Sequence, residues 1–215
     1  MNLEVVLKDL DDAMHEERLR ELWRDWGKYL IAAIVLILAG VGGYEAFHRH
    51  QAKNKAEEAK VYFDAAGKNL VPEALPGLET LSKSGSPVYR ALAAFRMAAI
   101  QVEQSKLDDA QKTYRMIHDD HQIPALYRDL GTVMLAQMLL DSEADEAHTL
   151  LQGLITNKSA YTPSAYELLA MQADNKGDKQ TAMLDYQHLI SLENAPTDMV
   201  QRATERLHAL EGESK

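Results

Sequence analysis

The sequence of 215 residues contains no cysteine, which excludes disulfide frameworks, thiolate metal sites and cysteine nucleophiles. Glycine and proline are sparse, with 11 and 6 residues, and aromatic side chains make up only 7% of the chain. Acidic residues outnumber basic ones by 33 to 23, so the basic surface that DNA or RNA binding requires is missing. Alanine, leucine, glutamine, glutamate and lysine dominate instead, and all of them favour helices. The composition predicts an all-α protein that does not bind nucleic acid.

One long stretch also lacks charge, because Asp, Glu, Lys and Arg are all absent from Tyr29 to Tyr44. Trp26 and Phe47 extend the stretch to residues 26–47, with Lys28 and Glu45 as the charged residues near its ends. As a helix this range would span about 33 Å, enough to cross a bilayer. Its border aromatics, Trp26, Tyr29, Tyr44 and Phe47, are typical of membrane interfaces. A cleaved signal peptide is the alternative, but the preceding segment is long and acidic. We therefore predict an uncleaved transmembrane helix over 26–47.

The segment before the anchor, residues 1–25, carries apolar residues every three or four positions among charged neighbours. This spacing predicts an amphipathic helix that lies on the membrane or on a partner, or a solvated helical extension. Four basic residues flank the anchor on each side within twenty residues. The positive-inside rule therefore does not decide the topology.

Beyond the anchor, residues 48–215 show an internal repeat. Three sets of four positions share the offsets 12, 4 and 3, and the sets recur after 37 and 35 residues. The sets are Ala98, Ala110, Tyr114 and Ile117; Leu135, Ala147, Leu151 and Leu154; and Ala170, Ala182, Tyr186 and Leu189. A polar turn separates the first two positions of each set, and a proline follows each hairpin or opens the next one. This pattern indicates a tetratricopeptide repeat (TPR) array, with a generic helical bundle as the alternative.

The predicted fold class is all-α, with an N-terminal transmembrane helix followed by an α-solenoid of degenerate TPR hairpins. The first hairpin begins with a helix from Ala46 to Lys68, whose apolar side includes Tyr62 and Phe63. Pro72, Pro76 and Gly77 are expected to interrupt its second helix. The hairpins are predicted near 48–84, 91–124, 128–161 and 163–196, with a capping helix over 197–211.

The first helix of each hairpin should form the concave face, which is the binding surface of such arrays. From the repeat positions, this predicted face consists of Leu92, Phe95, Ala99, Val102, Glu103, Asp129, Thr132, Ala136, Leu139, Leu140, Ser164, Glu167, Met171, Asp174 and Asn175. The set contains no Lys or Arg and combines apolar residues with acids, which suits an extended apolar segment or a basic-flanked helix. Some members, Phe95 and Leu140 among them, could instead pack on a neighbouring helix.

The sequence contains one weak candidate for a metal site. His118 and His121 lie three residues apart, a spacing that a metal site could use, but they fall at the end of a helix beside Pro124 without an evident third ligand. Phosphate loops, nucleophile elbows and acid–base pairs are absent from the sequence. We predict neither an enzyme nor a cofactor or metal site.

Several segments together carry a family resemblance. They are Glu-Leu-Trp-Arg-Asp-Trp-Gly-Lys at 21–28, the apolar run closing in Gly42-Gly43-Tyr44 with Phe47, the helix that contains Tyr62, and the degenerate repeats. The chain resembles the ancillary Sec-translocon subunit family of Gram-negative bacteria (YfgM-like), whose members are single-pass inner-membrane proteins with a periplasmic TPR domain. The resemblance covers nearly the whole chain and is strongest over 20–70.

This resemblance implies a topology and partners. The N-terminus would be cytoplasmic and the repeats periplasmic. The partners would be the Sec translocon, a membrane-anchored periplasmic chaperone of the prolyl-isomerase type, and unfolded exported proteins. The expected function is that of a chaperone or adaptor for newly exported proteins. The alternative is a scaffold that assembles envelope protein complexes without touching client chains.

Overall fold

The computed structural model describes residues 44, 50, 52–65, 67 and 71–213, without the side chains of 71–73 and 213. These ranges contain nine helices and no strand. The helices are α1 (52–65), α2 (Val71–Ser84), α3 (Pro87–Glu103), α4 (Leu107–Asp119), α5 (Ala125–Leu139), α6 (Ala144–Thr156), α7 (Thr162–Asn175), α8 (Lys179–Ser191) and α9 (Thr197–Glu213). The described residues from Glu57 onward belong to one compact unit.

Within this unit the helices pack as a solenoid. From α2 to α9 each helix packs on the next one in the chain. Helices α3, α5, α7 and α9 also pack on one another in succession, whereas the backbones of α4, α6 and α8 do not approach each other and α4 meets α6 through the ion pair between Arg115 and Glu146. Helices distant in the sequence, such as α2 and α9, make no contact, so the described helices do not close into a bundle. The first helices of the hairpins therefore form the inner, concave layer.

The repeat positions form the core of this solenoid. All twelve are buried, with at most 8% of any residue exposed, and Ala110, Ala147 and Ala182 are completely buried. Ala74 and Leu78, one repeat earlier, are buried as well. The burial confirms that these alanines lie where helices pack closely, since a larger side chain would hold the helices apart.

Prolines mark the starts of first helices. Pro87 is the first residue of α3, and Pro163 lies in the first turn of α7. Pro124 directly precedes α5, and Pro196 directly precedes α9. A proline fits these positions because the first turn of a helix does not use its backbone N–H groups in helical bonds.

The first hairpin corrects two expectations. Helix α2 continues through Pro76, although proline normally costs a helical hydrogen bond, because Ala74, Leu78 and Leu81 gain burial in the core on the helical path. Phe63 is 68% exposed, so it does not lie on the packed side of α1 as predicted. The buried residue there is Ala65, whose Cβ lies 3.5 Å from the position that a Cβ at Gly77 would take.

Glu58 ties α1 to the second hairpin. Its carboxylate accepts hydrogen bonds from the backbone N–H of Ser86, at 2.8 Å, and from the Ser86 hydroxyl, at 2.5 Å. Ser86 is the residue before α3. A charged acceptor at the start of a helix is favourable, because the first N–H groups lack helical partners.

The predicted membrane anchor falls almost entirely outside the described residues. Of its four border aromatics, Tyr44 is helical and exposed, and Trp26, Tyr29 and Phe47 lie outside the described ranges, as does the segment 1–25. In the parts of the chain that the structure describes, no helix combines the length and apolar character needed to cross a bilayer. The transmembrane helix over 26–47 stays a prediction.

Candidate functional site

The residues predicted for the concave face on α3 and α7 are exposed or half-buried. On α3, Val102 is 43% exposed, Glu103 is exposed, and Leu92 and Ala99 are half-buried. On α7, Met171 is 46% exposed and Asn175 is exposed, while Ser164, Glu167 and Asp174 are half-buried. These are the positions that the repeat pattern assigns to the concave face, and their role in binding stays a prediction.

Phe95 belongs to both the surface and the core. It is half-buried and packs on the middle part of the core, and its ring centroid lies 6.2 Å from that of Tyr114 on α4. A substitution at Phe95 would therefore disturb packing as well as binding. Val102 and Met171 are better probes of the concave face, because each is more exposed.

On α5 the prediction of surface positions is wrong for Thr132, Ala136 and Leu139, and Leu140 follows the alternative of packing on its neighbours. Ala136 and Leu139 are completely buried, Thr132 is 3% exposed, and Leu140 packs on the core. The open side of α5 instead carries Leu126, Leu130 and Gln137. Since Leu130 and Gln137 directly follow Asp129 and Ala136, the surface of α5 is shifted by one residue from the prediction.

The turn after α5 also differs from the turns after α3 and α7. The turns after α3 and α7 each contain a residue with positive φ, Ser105 at 59° and Gly177 at 79°, but the turn over 140–143 contains none. It is also one residue longer than the turns over 104–106 and 176–178. Because an α-helix turns 100° per residue, a different connection between the paired helices rotates the first helix and changes the face it presents.

The C-terminal end of the concave face contains two arginines that the sequence analysis did not place there. Arg202 of α9 bonds Glu167 of α7, with Nε to Oε1 at 3.0 Å, and pairs with Asp198 at 2.8 Å. Arg206 bonds Asp174 of α7, with Nε to Oδ2 at 2.6 Å. The prediction of a surface without basic residues is therefore wrong at this end, because α9 was interpreted only as a cap.

These ion pairs surround a cleft of about 470 Å³ between α7 and α9, with Met171 at its edge and Tyr186 of α8 among its lining residues. Hydrogen bonds to Asp198 and Glu167 raise the pKa of Arg202, and the bond from Arg202 lowers the pKa of Asp198. The concave face thus changes along the solenoid. It is mainly apolar on α3 and α5, and it carries paired charges between α7 and α9.

Two residues predicted for the concave face lie elsewhere. Asp129 and Thr132 line a cleft of about 570 Å³ between α4 and α6, across α5, which we call the outer cleft. His118 and His121 line the same cleft, and His118 Nδ1 lies 2.7 Å from the Thr132 hydroxyl oxygen. Among the described residues, no three His, Asp or Glu side chains are grouped so that they could hold a metal ion. This cleft could not be predicted from the sequence, because it depends on the gap between the backbones of α4 and α6, which meet only through long side chains such as Arg115 and Glu146.

Comparison with known proteins gives one family. A model of the tetratricopeptide repeat-like domain matches residues 20–209, which is most of the chain. Searches of curated proteins and of solved structures gave no match. The family match agrees with the solenoid of helical hairpins and with the buried repeat positions. The chain belongs to the tetratricopeptide repeat-like domain family, whose repeats are typically protein-interaction modules rather than enzymes.

Proposed function

We propose that this protein is a membrane-anchored periplasmic TPR protein that assists newly exported proteins at the Sec translocon, as a chaperone or adaptor. Its partners would be the translocon, a membrane-anchored prolyl-isomerase-type chaperone and unfolded exported chains. The observation that carries the proposal is the accessible concave face of a TPR-like solenoid, in which exposed apolar side chains lead to a charged end.

The apolar part of this face would supply the affinity for extended chains. Leu92, Val102, Leu126 and Leu130 lie on the open sides of α3 and α5, where an apolar segment could cover them. Their burial against a partner would be favourable by about 25 cal/mol per Å² of apolar surface, before the cost of ordering the bound chain. An unfolded segment therefore suits this surface when several apolar residues bind together.

The location of the protein is proposed from the sequence. The uncharged run from Tyr29 to Tyr44 would anchor it in the bacterial inner membrane, and the family resemblance would put the N-terminus in the cytoplasm. Carbonate extraction of membranes and N-terminal sequencing of the mature protein test the anchor. Retention in the membrane with an intact N-terminus is expected, whereas a soluble chain that begins near Tyr44 would contradict it.

A scaffold that joins two folded envelope proteins is the second candidate function. The observation in its favour is the outer cleft, which lies on a different side of α5 from Leu126 and Leu130 and could hold a second partner. Such a protein would bind each partner in one fixed arrangement rather than many different chains.

Photo-crosslinking in living cells separates the two functions. A photoreactive residue replaces Val102 or Met171 on the concave face, and the same residue at Leu184, an exposed position on α8, is the control. A chaperone should give many adducts of different mass at Val102 and Met171 and few at Leu184. A single discrete adduct would favour the scaffold, and the absence of adducts at both positions would remove the concave face from the proposal.

A further inference from the structure

The cleft between α7 and α9 differs from the equivalent place in the first repeat. The repeat spacing pairs Tyr186 with Tyr114 and Glu167 with Phe95. In the first repeat, the rings of Phe95 and Tyr114 pack with their centroids 6.2 Å apart and their planes at 53°. In the third repeat, Glu167 and Tyr186 instead line the open cleft of about 470 Å³. The third repeat therefore has space where the first repeat has an aromatic ring.

The hydroxyl of Tyr186 lies at this cleft without a hydrogen-bond partner among the described residues, although the residue is only 4% exposed. Burial raises the pKa of Tyr186, Asp174 and Glu167 raise it further, and Arg206 opposes them. These three charged residues all line the cleft, which places the hydroxyl there, whereas burial alone raises the pKa of Tyr114. The Tyr186 hydroxyl is thus protonated at neutral pH and can donate a hydrogen bond. Because a buried hydroxyl without a partner is unfavourable, the cleft favours a ligand with a polar atom.

The charged side chains of the cleft are matched within the protein. The lining contains Glu167 and Asp174 together with Arg202 and Arg206, so its formal charge is zero. Arg202 donates from Nε and Nη2 to Glu167, at 3.0 and 3.3 Å, and from Nη1 to Asp198 at 2.8 Å. These donors lie in the plane of the guanidinium, so its flat faces are what it can offer to a ligand. A guanidinium face stacks on aromatic rings, so a neutral aromatic group suits this cleft better than an acid or a base.

Met171 connects the cleft to the concave face. It is an exposed residue of α7 on that face, and it also lines the cleft. A methionine thioether makes favourable contacts with aromatic rings. An extended chain on the concave face can therefore place one side chain in the cleft.

We propose that the cleft between α7 and α9 binds one aromatic side chain, tyrosine above phenylalanine, of the extended segment that lies on the concave face. The ring would take the place that Phe95 has in the first repeat and would stack on the face of Arg202. The hydroxyl of a bound tyrosine would share a hydrogen bond with that of Tyr186. This inference rests on the proposed function and adds to it a preference for partner segments that contain tyrosine.

The test measures peptide binding by fluorescence anisotropy, with the full chain in detergent micelles. The probes are three labelled nonapeptides with blocked ends, made of alanine, serine and leucine, that differ only in a central Leu, Phe or Tyr. Wild-type protein should bind the Phe peptide about threefold more tightly than the Leu peptide, because of aromatic and cation–π contacts. It should bind the Tyr peptide about fivefold more tightly than the Phe peptide, as one neutral hydrogen bond would provide.

Tyr186→Phe separates the hydrogen bond from the stacking. This variant should lose the preference for Tyr over Phe and keep the preference for Phe over Leu. The matched control Tyr114→Phe removes a hydroxyl at the equivalent position of the first repeat, outside the cleft, and should leave both preferences unchanged.

Glu167→Phe tests the cleft from the inside. It places a ring where the first repeat has Phe95, which should occupy the cleft and remove the preference for Phe over Leu, while thermal melting verifies that the variant is folded. Equal binding of the three peptides by the wild type, including no binding of any, would overturn the proposal. So would a preference for Tyr over Phe that persists in Tyr186→Phe. Neither result would affect crosslinking at Val102, which lies on α3 outside the cleft, so the proposed function is tested separately.

Discussion

Gly131 and Gly153 provide a matched pair of substitutions at the scale of single residues. In Gly131→Ala the new Cβ would lie 2.7 Å from Cγ2 and 3.0 Å from Cβ of Ile117, so α4 and α5 would have to move apart. We expect a loss of about 1–3 kcal/mol in the free energy of unfolding, as for other overpacked sites. Gly153→Ala meets open space and should gain about 0.5–1 kcal/mol.

Denaturation of both variants, followed by circular dichroism, checks this prediction. The two substitutions are chemically identical and both lie within helices, so a difference in helix propensity cannot explain opposite signs. Equal changes in stability would contradict the close contact between α4 and α5 at Ile117.

Asp185 on α8 should make stability depend on pH. Burial raises the pKa of Asp185, although His188 and His148 oppose the effect. An acid whose pKa is raised in the folded state binds a proton more readily there than in the unfolded chain. Stability therefore falls as pH rises from the unfolded pKa, near 3.8, through the higher folded one, and the penalty persists at neutral pH.

Asp185→Asn should then be more stable than wild type at pH 7, and the difference should disappear at about pH 3, where the acid is protonated in both states. Melting temperatures of the two proteins across this range provide the measurement. A difference that stays constant with pH would mean that charge on Asp185 is not its cause.

At the scale of helices, the prediction concerns how closely the paired helices approach. Ala182 is completely buried in α8, where a leucine would force the helices apart. Ala182→Leu should cost about 1–3 kcal/mol of stability. Ala209→Leu on α9 is the control, because Ala209 is exposed and the same change there should alter stability by less than about 0.5 kcal/mol.

Thermal melting of the full chain in detergent compares the two leucine variants. Ala144 would be a poorer control than Ala209, since it is half-buried at the start of α6. Equal melting temperatures for Ala182→Leu and Ala209→Leu would mean that α7 and α8 do not pack closely at Ala182.

The hairpin of α5 and α6 shows which positions a repeat pattern can predict and which it cannot. The second-helix positions 147, 151 and 154 are buried as predicted, because each must pack on its paired first helix. The surface of the first helix also depends on the turn that joins the two. The turn over 140–143 lacks a positive-φ residue, and this difference cannot be recognised from apolar spacing alone.

At the scale of the whole molecule, the core is divided along the solenoid. One cluster lies around Leu78 and Ile100, a second around Leu135 and Leu151, and a third around Ala182 and Leu210. Since each hairpin contacts mainly its neighbours, a cavity at one end should have a local effect. Leu78→Ala, at a completely buried position, should cost about 2–5 kcal/mol.

Amide hydrogen exchange measures whether the effect is local. In Leu78→Ala, exchange should accelerate in α2 and α3 and stay unchanged in α8 and α9. The matched variant Leu189→Ala, which empties a buried site in α8, should show the reverse pattern. Uniform acceleration along the chain in both variants would indicate a single cooperative core rather than a solenoid of semi-independent repeats.

The sequence by itself determined the all-α class, the repeat and the buried side of the second helices. These features follow from local spacing, since positions three, four and twelve residues apart must meet whenever a helical hairpin folds. The tertiary structure determined the features that depend on contacts between separate helices, which local spacing in the sequence does not predict. It set which residues of α5 are exposed, placed Arg202 and Arg206 beside Glu167 and Asp174, and formed the outer cleft beside Gly153. Each of these depends on how separate helices are placed, which is set by packing between residues far apart in the chain.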